Sequence, residues 1–515
     1  KWRGSLEKRD KGGEAVQALL DAVEAGFDGY DAGCEKETEL FWDLLLSSEQ
    51  GRARRHLFFA QRKATQPKGA KVAKWDRRKA VVGVIGAGTM GSGIATSFLL
   101  AGVKQLILVD VSSESLARGI KLITKILQSN VKKGKMSKQR MAQLLSPPCF
   151  LTGDNINALR SCNLVVEAVF ENMGLKQKIM KQLASVVSPE TVLASNTSSL
   201  DITQIFRGVT NPCRCLGMHF FSPAHLMPLV EIVKAEQTGE EEAVAVIRSV
   251  TKALKKVGVV VGNCDGFVGN RMVFPYQWES VHLLTDGATV QFVDQVIRDF
   301  GMKIGPFQMA DLAGNDVGHL IRKEKGFLRD EKTGLPGKNR PQRYTELADD
   351  LILKLKRTGQ KSLKGWYNYD PNKGKGYLPL PSSEVTLLIA SHQNNDTKTS
   401  LNAQQIIERV LYPLVNEGFK ILEEGIASDP CHIDVIYIYG YGWPVWRGGP
   451  MYWADNDIGL DVLLSTLEKC YAMFPGSEYF KPSNLLRKCV ALNVGVQEYY
   501  DKLHKGGDVL TRSKL

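Results

Sequence analysis

The chain has no long apolar run, no Cys-x-x-Cys pair and no group of His and Cys at metal-ligand spacing. Its apolar stretches fall well short of the roughly 18–20 residues of a membrane-spanning helix, so no membrane span is expected. Nine cysteines are an odd number. The Cys213-x-Cys215 motif has no second pair, which argues against a structural metal, and we expect no metal site. The thiols are instead expected to be reduced and mostly buried. No N-terminal stretch has the pattern of a secretory signal. The first residue is Lys1 rather than Met, so we read the chain as a processed form or a fragment. Acidic residues are outnumbered, 55 against 67 basic, for a net charge of +12. The basic residues cluster only at 52–63 and 68–78, and no nucleic-acid motif accompanies them, so no nucleic-acid partner is expected. The excess suits an anionic ligand such as a phosphorylated cofactor or a CoA ester.

A chain of 515 residues is expected to divide into several domains. Residues 1–75 read as a helical leader and linker. Within it, Glu37–Ala64 reads as one long amphipathic run carrying Leu40, Phe41, Leu44, Leu45, Leu57, Phe58 and Phe59 at helical spacing. From Lys79 the pattern alternates between apolar β-rich runs and helical stretches. The runs lie at 80–85, 106–109, 164–169, 192–194, 216–221, 229–233 and 257–261, the signature of a mostly parallel α/β sheet. We bound this domain at 76–264. The chain then turns helical and repeats itself. Arg271-Met-Val-Phe-Pro275 is echoed by Arg409-Val-Leu-Tyr-Pro413, Glu279 by Glu417, Asp286-Gly287 by Glu424-Gly425, and Ile304-Gly-Pro-Phe307 by Gly442-Trp-Pro-Val445. The fold class is therefore a Rossmann-type α/β domain followed by two tandem, duplicated all-α domains, at 265–378 and 379–502. A tail at 503–515 ends in Ser513-Lys514-Leu515, the pattern read by the peroxisomal import receptor at a free C-terminus. A peroxisomal location follows as an expectation.

Two constellations carry chemistry. The first is Gly86-x-Gly88-x-x-Gly91, directly after an apolar strand and at the start of a helix. The first glycine permits the turn, the second lets a pyrophosphate reach the backbone, and the third allows close helix–strand packing. A second strand ends in Asp110, which suits a ribose 2′-hydroxyl and would repel a 2′-phosphate, so NAD is expected rather than NADP. The second constellation is Ser195-Asn-Thr-Ser-Ser199, Met218-His-Phe-Phe-Ser-Pro223 and Glu231. It sets a hydroxyl, an imidazole and a carboxylate near strand ends. His219 suits the removal of a hydroxyl proton because its ordinary pKa lies near neutrality. Two adjacent strands joined by a turn would bring Glu231 to it, and Ser198 can hydrogen-bond a substrate oxygen.

These motifs, with Val165-Val-Glu-Ala168, Leu229-Val-Glu231 and Gly266-Phe-Val-Gly-Asn-Arg271, resemble those of the L-3-hydroxyacyl-CoA dehydrogenases over residues 79–370. The repeat extends the resemblance to about residue 500. It implies hydride transfer from C3 of an L-3-hydroxyacyl-CoA to NAD, with His219 as base, Glu231 as its partner, and Ser198 and Asn270 holding the substrate. It places Gly86, Gly88, Met90, Gly91, Asp110, Glu171, Lys176, Ser222 and Lys361 around the cofactor. Ser222 stands where single-function relatives usually have Asn, and Leu363 stands where glycine is common. The leader, the duplication and the terminal tripeptide together resemble the multifunctional enzymes of peroxisomal fatty-acid β-oxidation, in which an enoyl-CoA hydratase domain comes first. Hydratase activity is expected to be missing from this chain. In single-copy members the helical domain commonly pairs with its twin across a dimer, so a second copy in the same chain implies a monomer with an internal pseudo-dimer. Other readings are a two-domain dehydrogenase acting on a sugar nucleotide or small hydroxy acid, and a catalytically silent NAD-binding structural protein.

Overall fold

The computed structural model describes residues 13–66, 69, 73, 75–330, 332–393 and 400–504. The chain forms two compact units, each built from separate stretches. One comprises 56–270 and 424–441, the other 13–55, 271–423 and 442–504.

The first unit is built on an eight-stranded sheet of order β3-β2-β1-β4-β5-β6-β7-β8. The strands are β1 Val81–Ile85, β2 Gln105–Val109, β3 Phe150–Gly153, β4 Leu164–Glu167, β5 Val192–Ser195, β6 Cys215–Phe220, β7 Leu229–Lys234 and β8 Val257–Gly262. All neighbours run parallel except β6 and β7. Val82, Val84, Leu106, Leu108, Leu164 and Val166 are fully buried, as expected of parallel strands covered on both faces. Strand β3 was not legible in the sequence, because it is short and follows Pro147-Pro148. Residues 424–441 join this unit beside the end of the leader. There Lys63 pairs with Asp429 (2.5 Å), His56 Nε2 lies 2.8 Å from Asp434, and the Tyr439 hydroxyl donates to Gln61 (2.8 Å).

The second unit is helical. The leader's single expected run is two helices, Tyr30–Leu46 and Glu49–Thr65. The break is local chemistry. Ser48 Oγ accepts from the Gly51 amide (3.0 Å), as an N-cap does, and starts a new helix. A Cβ at Gly51 would lie 1.7 Å from the Leu44 carbonyl oxygen, so only glycine allows the corner to close.

The repeat is visible as matching parts. Helices Gly269–Thr285 and Ala403–Glu423 carry internal prolines at Pro275 and Pro413. Arg271 pairs with Glu417 (2.8 Å), and Arg409 Nε donates to Glu279 (2.7 Å). Each copy's arginine thus meets the other copy's glutamate, the exchange that two-fold packing produces. Glu279 is fully buried and also receives Arg343 (2.5 Å) and the Tyr479 hydroxyl (2.7 Å). Burial alone would push its carboxyl up, but Arg409 and Arg343 outweigh that and hold it below the usual range.

Candidate active site

The glycine-rich turn follows β1. Gly86 has φ +98°, a left-handed conformation that favours glycine. A Cβ at Gly91 would lie 1.8 Å from the Gly86 carbonyl oxygen, so the third glycine is required for the helix Thr89–Ala101 to approach its own turn. A Cβ at Gly88, by contrast, would meet nothing within 4 Å. Gly88 is exposed and is the N-cap of that helix, with no side chain capping it. The free amides of such a helix start attract phosphate. Met90 sits half-buried in the first turn. Asp110, just after β2, accepts from the Ala87 amide (2.8 Å) and the Ser112 amide (3.0 Å). It therefore fixes the turn as well as standing where a ribose acid is expected.

Strands β6 and β7 set His219 directly opposite Glu231. Side chains of such a cross-strand pair share a face. His219 Nδ1 lies 2.7 Å from Glu231 Oε2, and both residues are buried. The other carboxylate oxygen accepts from the Gly269 amide (3.0 Å), at the start of the helix Gly269–Thr285. With its carboxylate partner at Nδ1, the ring carries its proton there and leaves the Nε2 lone pair free. Phe221 and Phe267 flank the ring, with centroids 4.6 and 5.7 Å away. Asn270 follows Gly269, and its Nδ2 donates to the Ser198 carbonyl oxygen (3.1 Å). The same unit thus brings His219, Glu231, Ser198 and Asn270 together.

Ser198 is exposed, in the loop after β5. That loop folds onto Glu171, whose carboxylate accepts from the Ser198 amide (3.0 Å) and the Thr197 hydroxyl (2.5 Å). Lys176 is sealed beneath, fully buried, 2.7 Å from Glu167 and 3.4 Å from Glu171. Glu167 also accepts from the Ser195 hydroxyl (2.6 Å) and the Val169 amide (2.7 Å). Glu167 therefore ties the ends of β4 and β5 together through Ser195, and Lys176 links it to Glu171 beneath the loop that carries Ser198. The sequence quotes Glu167 in a motif but gives it no part, because its partners come from three separate segments.

Ser222 is exposed just beyond β6. The loop after it is held by Lys256, whose ammonium donates to the carbonyl oxygens of Ala224 (2.7 Å) and Met227 (2.5 Å). Burial lowers the Lys256 pKa to about 8. Lys361 belongs to the helical unit, where it pairs with Asp316 (2.5 Å). Leu363 beside it has φ 59°, a left-handed conformation, which explains why a glycine suits the position. The cysteines are all free thiols, and four of them, Cys162, Cys215, Cys431 and Cys489, are buried. Among the described residues no group of three His, Cys, Asp or Glu could hold a metal, and no helix is long and apolar enough to cross a membrane.

The family model of the 3-hydroxyacyl-CoA dehydrogenase NAD binding domain matches residues 81–264. That of the 3-hydroxyacyl-CoA dehydrogenase C-terminal domain matches twice, at 266–369 and 406–498. The peroxisomal bifunctional enzyme of Homo sapiens is 40% identical over 489 residues, which is 94% of this chain and 66% of that protein. The chain therefore spans just under two thirds of that relative's length. Among solved structures, 3-hydroxybutyryl-CoA dehydrogenase from Escherichia coli is 26% identical with a TM-score of 0.64, covering 82% of this chain and 99% of the other. The dehydrogenase part of multifunctional enzyme 1 from C. elegans is 28% identical with a TM-score of 0.59, covering 84% and 96%. The chain belongs to the 3-hydroxyacyl-CoA dehydrogenase family, with that family's NAD binding domain and two stretches that match its C-terminal domain.

Proposed function

We propose that the chain oxidises the 3-hydroxyl of L-3-hydroxyacyl-CoA to the 3-keto group in peroxisomal fatty-acid β-oxidation. The observation that carries this reading is the buried His219–Glu231 pair beside Ser198 and Asn270, in the unit that holds the NAD binding domain. The residues present fit NAD. Gly88 leaves its surroundings open, the helix behind it starts uncapped, and Asp110 ends the second strand. NAD, when bound, supplies the acceptor for the C3 hydride. Gly86, Gly88, Met90, Gly91 and Asp110 would hold its adenosine and pyrophosphate end. Glu171 and Ser222, both in this unit, are the further contacts we assign, whereas the buried Lys176 supports Glu171 from beneath.

His219 takes the hydroxyl proton at Nε2, and Glu231 orients the ring and balances the imidazolium that forms. Ser198 and Asn270 donate to the C3 oxygen and the thioester region. We also propose that the terminal Ser513-Lys514-Leu515 engages the peroxisomal import receptor. These residues lie outside the described ones. The domain limits 76–264, 265–378 and 379–502 remain our division of the chain by ancestry. The retention of the acid–base set favours an enzyme over a silent binding protein.

The test is NADH oxidation with acetoacetyl-CoA. His219→Ala is expected to lower kcat by about 10²–10⁴-fold while NADH binding, followed by fluorescence, stays intact. Full activity in the variant overturns the assignment.

A further inference from the structure

The second C-terminal-domain match includes residues 437–441, and these belong to the same compact unit as the proposed catalytic set. There a single π turn, Tyr437–Tyr441, sits against Gly269 and Asn270. The Tyr437 hydroxyl donates to the Gly269 carbonyl oxygen (3.1 Å), and the Tyr441 hydroxyl donates to Asn270 Oδ1 (2.7 Å). The two rings stack at 4.9 Å, and Tyr441 meets Phe221 edge-on at 5.5 Å. A Cβ at Gly269 would lie 2.5 Å from the Tyr441 ring, so glycine there is what admits the phenol.

An asparagine amide has one accepting and one donating end, and it can be turned either way. Here Oδ1 is taken by Tyr441, and Nδ2 reaches the Ser198 carbonyl oxygen with one of its two hydrogens. The second Nδ2 hydrogen is left for a substrate oxygen. A turned amide would offer an acceptor there instead and repel the negative charge that builds on the C3 oxygen. Burial, with Glu231 nearby, raises the Tyr441 pKa well above its ordinary value, so the phenol stays a donor. The repeat that sets Arg271 against Arg409 sets Lys303 against Tyr441, and an ammonium lacks the phenol's planar ring. The feature therefore belongs to the second copy alone.

We propose that Tyr441 is a positioning residue for the dehydrogenase reaction, acting by fixing the donor orientation of the Asn270 amide. This rests on the reading that Asn270 holds the substrate oxygen. The test is a double-mutant cycle in the full chain, with acetoacetyl-CoA and NADH as substrates. Tyr441→Phe keeps the ring and removes one hydrogen bond, so kcat should fall about tenfold, with the KM for NADH and the melting temperature unchanged. Asn270→Ala should be slower still, and Tyr441→Phe/Asn270→Ala should be no slower than Asn270→Ala. A general packing role for Tyr441 would instead add its loss to that of Asn270→Ala, and that result overturns the proposal. So does wild-type kcat in Tyr441→Phe alongside a crippled Asn270→Ala. Wild-type activity in Asn270→Ala shows that the underlying reading of Asn270 has failed, and the proposal falls with it.

Discussion

His282 is buried in the helical unit beside Glu279, Arg343 and Arg409. Its pKa is lowered to about 4 by burial first, with Arg343 and Arg409 adding and Glu279 opposing. The unfolded chain binds this proton near pH 6.5, the folded chain only near 4. Stability contributed by the neutral ring is therefore present above pH 6.5 and is lost as pH falls toward 4. Asp294 works the other way. Burial raises its carboxyl to about 6, so the fold gains as that group takes a proton between pH 6 and 3.8. A comparison with His282→Gln isolates the imidazole. Between pH 7 and 5 the wild type should lose about 2 kcal/mol more than the variant in urea unfolding. Equal losses would place the titration elsewhere. None of this was legible in the sequence, where His282 is one histidine in a helix and the two arginines that act on it, Arg343 and Arg409, lie far along the chain.

The glycine-rich turn was legible because its constraints are local. Three glycines at fixed spacing after an apolar run state what the strand, turn and helix need from one another. The structure separates their duties. Gly91 serves the fold, since a Cβ there would collide with the Gly86 carbonyl, whereas Gly88 faces open space. Gly91→Ala should therefore lower the melting temperature and the yield of folded protein. Gly88→Ala should leave the melting temperature within about 1 °C and weaken NADH binding about tenfold or more, because a methyl group would stand in the path of the phosphates. Calorimetry and NADH titration of both variants check the division. Equal melting losses would refute it. The cross-strand meeting of His219 and Glu231 was legible for a similar reason, since a short connection between two apolar runs leaves adjacent strands as the economical arrangement. The ties from Glu231 to Gly269 and from Glu167 to Lys176 were not. They depend on which helix start and which strand end come together, and that is set only once the whole sheet has formed.

At the scale of the molecule, the repeat found in the sequence becomes reciprocal ion pairing, Arg271 with Glu417 and Arg409 with Glu279. A surface that meets its own duplicate within one chain has no need of a second chain, so we expect a monomer. Sedimentation should give a single species near 57 kDa at micromolar concentration, and a stable dimer would contradict this. The discontinuity of the NAD-binding unit has a consequence for synthesis. Residues 56–270 emerge from the ribosome well before 424–441, which belong to the same compact unit. Until that late segment arrives, Gly269 and Asn270 lack the tyrosines that grip them. The sheet can form early, as domains do during translation, but the last piece of the proposed site waits for some 150 further residues to be made. A chain released too soon would hold a dinucleotide fold without a finished site.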